Sequence, residues 1–124
     1  MSKLGKEIAA GNQPMFMTPG EISEHFSLGD SPVIDRMTTP AMKKTSDQQS
    51  ADRETLDYKL KDAQHPQSYD GKTSLYDSIK TEGIQSPISV GRSPYMKRPI
   101  VIDGHHRLAV AHNLNPNQFL HVEY

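Results

Sequence analysis

The stretch that most constrains the fold is a short apolar run followed at once by a glycine turn and a helix-forming run. Residues 100–102 are Ile-Val-Ile, which are β-branched throughout and favour a buried strand. Asp103-Gly104 is a turn dipeptide. Residues 108–111 have good helix propensity, with Val110 the weakest member. The sequence therefore predicts a strand, a tight turn and a helix in immediate succession.

The predicted start of this helix carries unusual charge. His105, His106 and Arg107 occupy its first turn, where each positive charge opposes the helix macrodipole by about 0.3–1 kcal/mol. A bound anion would compensate, because free backbone N–H groups, the dipole and the arginine fork would all face it. The alternative is a surface turn in which Arg107 is solvated, the histidines are mostly neutral and Gly104 only supplies a positive φ.

Composition sets limits on the rest of the chain. The 124 residues suffice for one domain with a modest core. A hydrophobic content of 34% and a mean hydropathy of −0.70 are low for a compact globule, so part of the chain is expected to be irregular. The net charge of −1 disfavours binding nucleic acid through bulk charge. There is no cysteine, which excludes disulfides, thiolate metal sites and cysteine nucleophiles and fits a reducing compartment.

The order of the patterns predicts an α+β (α/β) domain with a small mixed sheet. Residues 1–49 are predicted to form an N-terminal arm, partly irregular, with one short helix opened by the capping box at residues 18–21. Residues 27–46 contain two prolines and no sustained period, and are expected to be an arm or a packed wrap with a brief strand at 33–34. Residues 50–124 are predicted to be the core. Its expected elements include a helix capped by Ser50 with one charged, solvated face, and a helix over 75–82 capped by Thr73 or Ser74 and ended by Gly83. Strands are expected at 84–90, with Pro87 among its first residues or at a sheet edge, at 100–102 and at 119–123, with a helix from 105 to about 113.

Neither a long apolar run nor a signal-like N-terminus is visible in the sequence. We therefore expect a protein of the cytoplasm with no membrane partner.

Two motifs in the second half resemble the ParB/sulfiredoxin-like superfamily, often labelled a ParB-like nuclease domain. The first is Ser78-Ile79-x-x-x-Gly83-Ile84-x-x-Pro87-Ile88-x-Val90, and the second is Val101-Ile102-Asp103-Gly104-His105-His106-Arg107. The resemblance covers residues 73–124. It implies a single small ParB/sulfiredoxin-like domain. It also implies that Gly104 and Arg107 stand where partition proteins hold the phosphates of CTP in a Gly-x-x-Arg turn.

The resemblance also indicates which of the activities known in this superfamily the residues of this chain match. His105 stands where sulfiredoxins have their reactive cysteine, so that chemistry is excluded. Val110 stands where partition proteins often have alanine, and the regions that complete a DNA-sliding clamp are not seen after residue 124. The Asp-Gly-His-His-Arg form is closest to ParB-related free-serine kinases and to small ParB-like proteins of phages and mobile elements. That likeness implies a nucleotide such as CTP, ATP or ADP with Mg²⁺, and a host cytoplasm if the chain is phage-encoded.

Candidate site residues follow from the same stretch. The predicted phosphate ligands are Gly104, His105, His106 and Arg107, with a structural salt bridge as the alternative role for Arg107. The candidate catalytic residues are Asp103, His105 and His106. Asp103 would hold Mg²⁺ or act as a base, or would simply cap the helix. Adjacent histidines point in different directions, so no zinc site is expected.

A basic loop precedes the central strand and contains Arg92, Lys97 and Arg98. It would steer phosphate or nucleic acid towards the site, or it would be an ordinary solvated loop.

Three functions follow from the sequence. The first is a nucleotide-binding ParB-like domain, with or without NTPase or phosphotransferase activity. The second is a DNA-binding protein or metal-dependent nuclease, which bulk charge disfavours. The third is a catalytically inactive phage-type interaction protein that kept the fold and uses its N-terminal arm for a protein partner. The sequence does not decide whether the protein is an enzyme.

Overall fold

The computed structural model describes residues 3–66 and 71–124. These residues form a mixed α+β domain with a mixed sheet, which confirms the predicted fold class. The elements are α1 (Lys3–Ala9), β1 (Phe16–Met17), α2 (Pro19–His25), β2 (Ser27–Leu28), α3 (Ser46–Ala63), α4 (Leu75–Glu82), β3 (Ile88–Gly91), β4 (Ile100–Asp103), α5 (His105–Leu114) and β5 (Leu120–Glu123).

The five strands of the described residues form one sheet in the order β1-β5-β3-β4-β2. The outer pairs differ in direction, since β1 runs antiparallel to β5 whereas β2 runs parallel to β4. In the centre, β3 is antiparallel to β4 and parallel to β5. Because β2 and β4 are parallel, their carboxyl ends lie at the same edge of the sheet. The chain therefore brings Asp30, just after β2, close to the turn that follows β4.

Helix α5 is the centre of the helical layer. It packs against α2, α3, α4 and β3, and four consecutive residues, 108–111, are buried because neighbouring elements surround it on most sides. The main core cluster of buried side chains draws on α1, α2, α5 and all five strands: Ile8, Met17, Ile22, Phe26, Leu28, Ile88, Val90, Val101, Leu108, Ala111, Leu120 and Val122.

The core includes residues that the sequence assigned to an N-terminal arm. Met17, Ile22, Phe26 and Leu28 are fully buried, and β1 and β2 are the two edge strands of the sheet. These strands have only two residues each, too short for a periodic pattern to reveal them. The strand predicted at residues 33–34 is wrong, because those residues lie in irregular structure. The strand predicted over 84–90 begins only at Ile88, after Pro87, which has no N–H to donate to a neighbouring strand.

Helix α3 begins five residues earlier than predicted. Its N-cap is Thr45, whose hydroxyl accepts a hydrogen bond from the amide of Gln48, and Ser50 lies within the helix. The predicted cap was wrong because the polar first turn lacks an apolar period, although Gln48 is fully buried. Helices α2 and α4 do carry the predicted caps, on Thr18 and Ser74.

Arg98 fixes the irregular segment between β2 and α3 to the rest of the domain. Its guanidinium is 1% exposed and donates to the carbonyls of Glu24, His25 and Met42 and to the hydroxyl of Thr38, at 2.9–3.2 Å. Four acceptors from two stretches of chain are thus held by one side chain.

A chain of polar contacts continues from this arginine to α3. Thr38 donates to the carboxylate of Asp35, whose backbone amide donates to Gln48. Gln48 and Lys44 both donate to Asp52, at 2.7 and 2.6 Å. The segment is therefore a packed wrap, which is one of the two forms that the sequence left open.

None of the helices in the described part of the chain combines the length and the apolar character that crossing a bilayer requires.

Candidate functional site

The turn between β4 and α5 leaves the start of α5 without a side-chain cap. Gly104 is the N-cap residue, with φ of 101°, and no side chain accepts from the first amides of the helix. Its carbonyl accepts from Leu108 at 2.8 Å, which opens the helix. The amides of residues 105–107 therefore have no acceptor among the described residues. By contrast, hydroxyl groups cap α2, α3 and α4.

Arg107 folds back over this glycine. A Cβ on Gly104 would lie 3.0 Å from Nη2 of Arg107 and 2.9 Å from Cδ1 of Ile88. Nη2 donates to the carbonyl of Pro87 at 2.8 Å and lies 3.7 Å from the carboxylate of Asp103. Nε is buried without a partner among the described residues. The guanidinium is thus positioned by a backbone acceptor next to Gly104, and its Nη1 forms no hydrogen bond with any described residue.

His105 points away from the amides and towards the loop after β2. It is buried, its Nε2 accepts from the backbone amide of Asp30 at 3.3 Å, and its Nδ1 lies 3.5 Å from the Asp30 carboxylate. The neutral tautomer with the proton on Nδ1 satisfies both contacts. Burial lowers the pKa of His105 below its usual 6.5, although Asp30 opposes the shift. The ring is therefore neutral at pH 7 and positions the loop.

His106 points in another direction, towards α3. Its Nε2 lies 2.6 Å from the carboxylate of Asp62, and both side chains are partly exposed. About one turn earlier in the same helix, Lys59 lies 2.8 Å from the carboxylate of Asp30. That hydrogen bond lowers the pKa of Asp30. The two histidines are thus each paired with a different acid.

Sequence reasoning missed Asp30, Lys59 and Asp62. Lys59 and Asp62 lie on the face of α3 that was interpreted as ordinary solvated surface, and nothing local marks them as partners of residues 29 and 44 positions away. Asp30 follows a glycine in a turn, which is a common place for aspartate. The packing of α3 on α5 brings Lys59 and Asp62 to the site, and the parallel pairing of β2 with β4 brings Asp30.

Asp103 is the last residue of β4 and directly precedes the turn. Its side chain is 77% exposed and does not cap α5, so the alternative of a helix cap is wrong. Among the described residues, no three acidic or histidine side chains come together as ligands for a metal ion.

The three cations of the predicted basic loop have different surroundings in the structure. Arg98 is buried and bonded to backbone carbonyls, so its predicted place in an exposed basic loop is wrong. Arg92 donates to the carbonyl of Ile8 at 3.0 Å, and Lys97 is exposed. The loop is therefore bonded to α1 through Arg92 and to the wrap through Arg98, while Arg92 and Lys97 remain exposed.

Comparison with models of protein families, with curated proteins and with solved structures gives no match to this chain. The resemblance to the ParB/sulfiredoxin-like superfamily therefore stays a prediction.

Replacing Gly104 by alanine is expected to lower the free energy of unfolding by about 2–3 kcal/mol, because the backbone is in the left-handed region and the new Cβ contacts Ile88 and Arg107. Urea denaturation measures this change. Gly11→Ala is the matched control, since Gly11 has φ of 97° but no atom within 4 Å of the added Cβ. Equal losses in the two variants would show that the close packing at Gly104 contributes nothing.

The stability of the protein is expected to fall below pH 6.5 through His105. Since burial lowers the pKa of His105 in the folded state, the unfolded chain binds a proton at a higher pH than the folded one. This contribution is complete above pH 6.5 and is lost as the pH falls towards the lower folded value. The difference in unfolding free energy between the wild type and His105→Gln should therefore shrink from pH 7 to pH 5.

The exposed His121 of β5 provides the control, as His121→Gln replaces a histidine away from α5. A wild-type-to-H105Q difference that stays constant over this pH range would contradict the proposed role of burial.

Proposed function

We propose that this protein binds a phosphate-bearing nucleotide, with the phosphate at the start of α5. The observation that carries the proposal is the uncapped first turn of α5, over which Arg107 is folded with donors unused. Free amides at a helix N-terminus attract phosphate through both hydrogen bonds and the dipole. A guanidinium adds a planar fork that matches phosphate oxygens.

The local charge supports an anion at this position. Arg107 carries a full positive charge in the first turn of α5, and its nearest carboxylate, Asp103, is largely exposed at 3.7 Å. A phosphate would replace this loose contact with direct hydrogen bonds. The two histidines need not change partner, because Asp30 and Asp62 already hold them.

Asp103 is the residue that would hold the Mg²⁺ of a bound triphosphate. Its exposed carboxylate ends β4 directly before the turn, and carboxylate oxygen is a ligand that Mg²⁺ prefers. In that role Asp103 turns from Arg107 to the metal, while Arg107 binds the phosphate. Hydrolysis or phosphoryl transfer would need a further base, and His106 is the partly exposed histidine nearest the turn.

Thermal denaturation with CTP, ATP, ADP and inorganic phosphate, each with and without Mg²⁺, tests the proposal. A nucleotide at 100 times its dissociation constant stabilises the folded state by about 2.7 kcal/mol. For a chain of this length that is a rise in melting temperature of about 10 °C. A flat response to every nucleotide would contradict the proposal.

An exposed apolar group favours a second candidate function, contact with another protein. Met15, Phe16 and Phe119 are 59%, 61% and 70% exposed. They belong to neighbouring segments, because Met15 and Phe119 directly precede β1 and β5, which pair, and the ring of Phe16 is 5.5 Å from that of His121. Edge strands with apolar side chains are places where chains associate. If this role dominates, Phe16→Ser removes association while leaving any nucleotide binding unchanged.

A further inference from the structure

A cleft of the described structure lies away from the glycine turn. It has a volume of about 700 Å³ and is bounded by α2, residues 40–44, α3 and His112 in the last turn of α5. His112 is seven residues from His105, about 10 Å along the helix axis. The cleft is therefore separate from the candidate phosphate site.

We propose that this cleft binds a small organic anion that has an aliphatic chain, a carboxylate of medium length. This site does not depend on the nucleotide proposal, and either can fail without the other. The arguments are the fixed walls, the charges at the floor and rim, and the apolar lining.

The walls of the cleft are held by hydrogen bonds. The carbonyl of Pro40 accepts from Nδ1 of His25 at 3.1 Å, and the carbonyl of Met42 accepts from Arg98 at 2.9 Å. Lys44 is bonded to the carbonyl of Ser23 in α2. Residues 40–44 are thus tied to α2 and the buried arginine. A preformed cleft of this kind binds a ligand with little loss of conformational freedom.

The buried ammonium group of Lys44 lies at the floor of the cleft and has one N–H donor that is not used by the described part of the protein. The side chains of Lys44 and Asp52 are each 4% exposed and lie 2.6 Å apart. An ammonium has three N–H donors, and that of Lys44 bonds two acceptors, Asp52 and the carbonyl of Ser23. Burial lowers the pKa of Lys44, which shows that its charge is costly to hold there. An anion in the cleft would use the third donor and offset that cost.

The rim of the cleft has an excess of positive charge. Glu24 lies near enough to Lys44 and Arg98 to favour their charged forms, so its carboxylate is balanced by these buried cations. Lys43 and Arg53 are exposed at the rim and form no salt bridge with any described residue. Two unpaired cations at the mouth favour a negative ligand over a neutral or positive one.

The remaining wall is apolar. Pro40, Ala41, Met42 and Leu56 line it, and Met42 is 47% exposed. An aliphatic chain placed here would leave water at about 0.8 kcal/mol per buried CH₂. The ligand would therefore place its charged end between Lys44 and the rim cations and its chain along Met42 and Leu56.

Titration of ¹⁵N-labelled protein with hexanoate, 1-hexanol and hexylammonium tests this proposal by amide chemical shifts. The three probes share one chain and differ in charge. Hexanoate is expected to bind most tightly and to shift the amides of Met42, Leu56 and His112. The double variant Lys43→Gln/Arg53→Gln is expected to weaken hexanoate binding about tenfold, since charge-assisted hydrogen bonds are lost.

The matched control is Arg36→Gln/Lys80→Gln, which removes two exposed cations outside the cleft and should leave hexanoate binding unchanged. All four positions are exposed, so the variants should fold, and their spectra verify this. The proposal is overturned if hexanol binds as tightly as hexanoate, if hexylammonium binds more tightly, or if hexanoate shifts no amide around the cleft. ATP added to the same samples reports on the glycine turn separately.

Discussion

Replacing Arg98 by methionine is expected to lower the free energy of unfolding by about 3–5 kcal/mol. The guanidinium is fully enclosed and satisfies four acceptors from α2 and the wrap. Methionine fills similar space but leaves the carbonyls of Glu24, His25 and Met42 without their donor. Because domains of this size are stable by only about 5–15 kcal/mol, the variant should unfold at a much lower urea concentration.

Its neighbour Lys97 provides the control. Lys97 is exposed, and its replacement by methionine should change the unfolding free energy by less than about 0.5 kcal/mol. Arg98→Lys separates charge from geometry, because one ammonium cannot reach four acceptors arranged for a fork. A loss of stability below about 1 kcal/mol in R98M would refute the view that Arg98 anchors the wrap.

Replacing Arg107 by alanine is expected to weaken nucleotide binding about 100-fold while changing stability by less than about 1 kcal/mol. The side chain makes a single hydrogen bond within the described structure, to the carbonyl of Pro87, so folding depends on it little. The nucleotide that gives the largest thermal shift among CTP, ATP and ADP is the ligand, and isothermal titration calorimetry is the measurement.

Two further variants sharpen this test. Arg107→Lys keeps the charge but loses the fork, and is expected to fall between the wild type and R107A. Arg36→Ala removes an exposed arginine in the wrap, outside α5, and should bind as the wild type does. Equal affinity in R107A and the wild type would remove Arg107 from the site and with it the main ligand of the phosphate.

Local patterns were sufficient to predict the second half of the fold. The strand β4, the glycine turn and α5 are present as expected, and the caps of α2 and α4 lie on predicted hydroxyl residues. The β-branched run is less buried than predicted, since only Val101 is buried and Ile102 is 63% exposed. These elements are long enough for period and capping to appear within a few residues. The mixed sheet followed from the order of strands and helices.

The rest depends on contacts between distant residues. A strand of two residues is too short to show an alternating pattern, so the sequence did not distinguish β1 and β2 from the predicted N-terminal arm. In the sequence, Arg98 looks the same as the other cations of the basic loop. Only the folded structure shows that its guanidinium is surrounded by backbone carbonyls. Likewise, Asp62 became a partner of His106 because α3 packs on α5. Sequence spacing contains no information on these pairings.

The most direct measurement of the central claim is the response of the α5 amides to a nucleotide. In ¹⁵N-labelled protein, ATP with Mg²⁺ should produce its largest amide shifts at His105, His106 and Arg107, because their N–H groups would bind the phosphate oxygens. The same titration of R107A should reduce these shifts at equal ATP concentration. Saturable ATP binding that leaves these three amides unmoved, or no binding at all, would contradict the account.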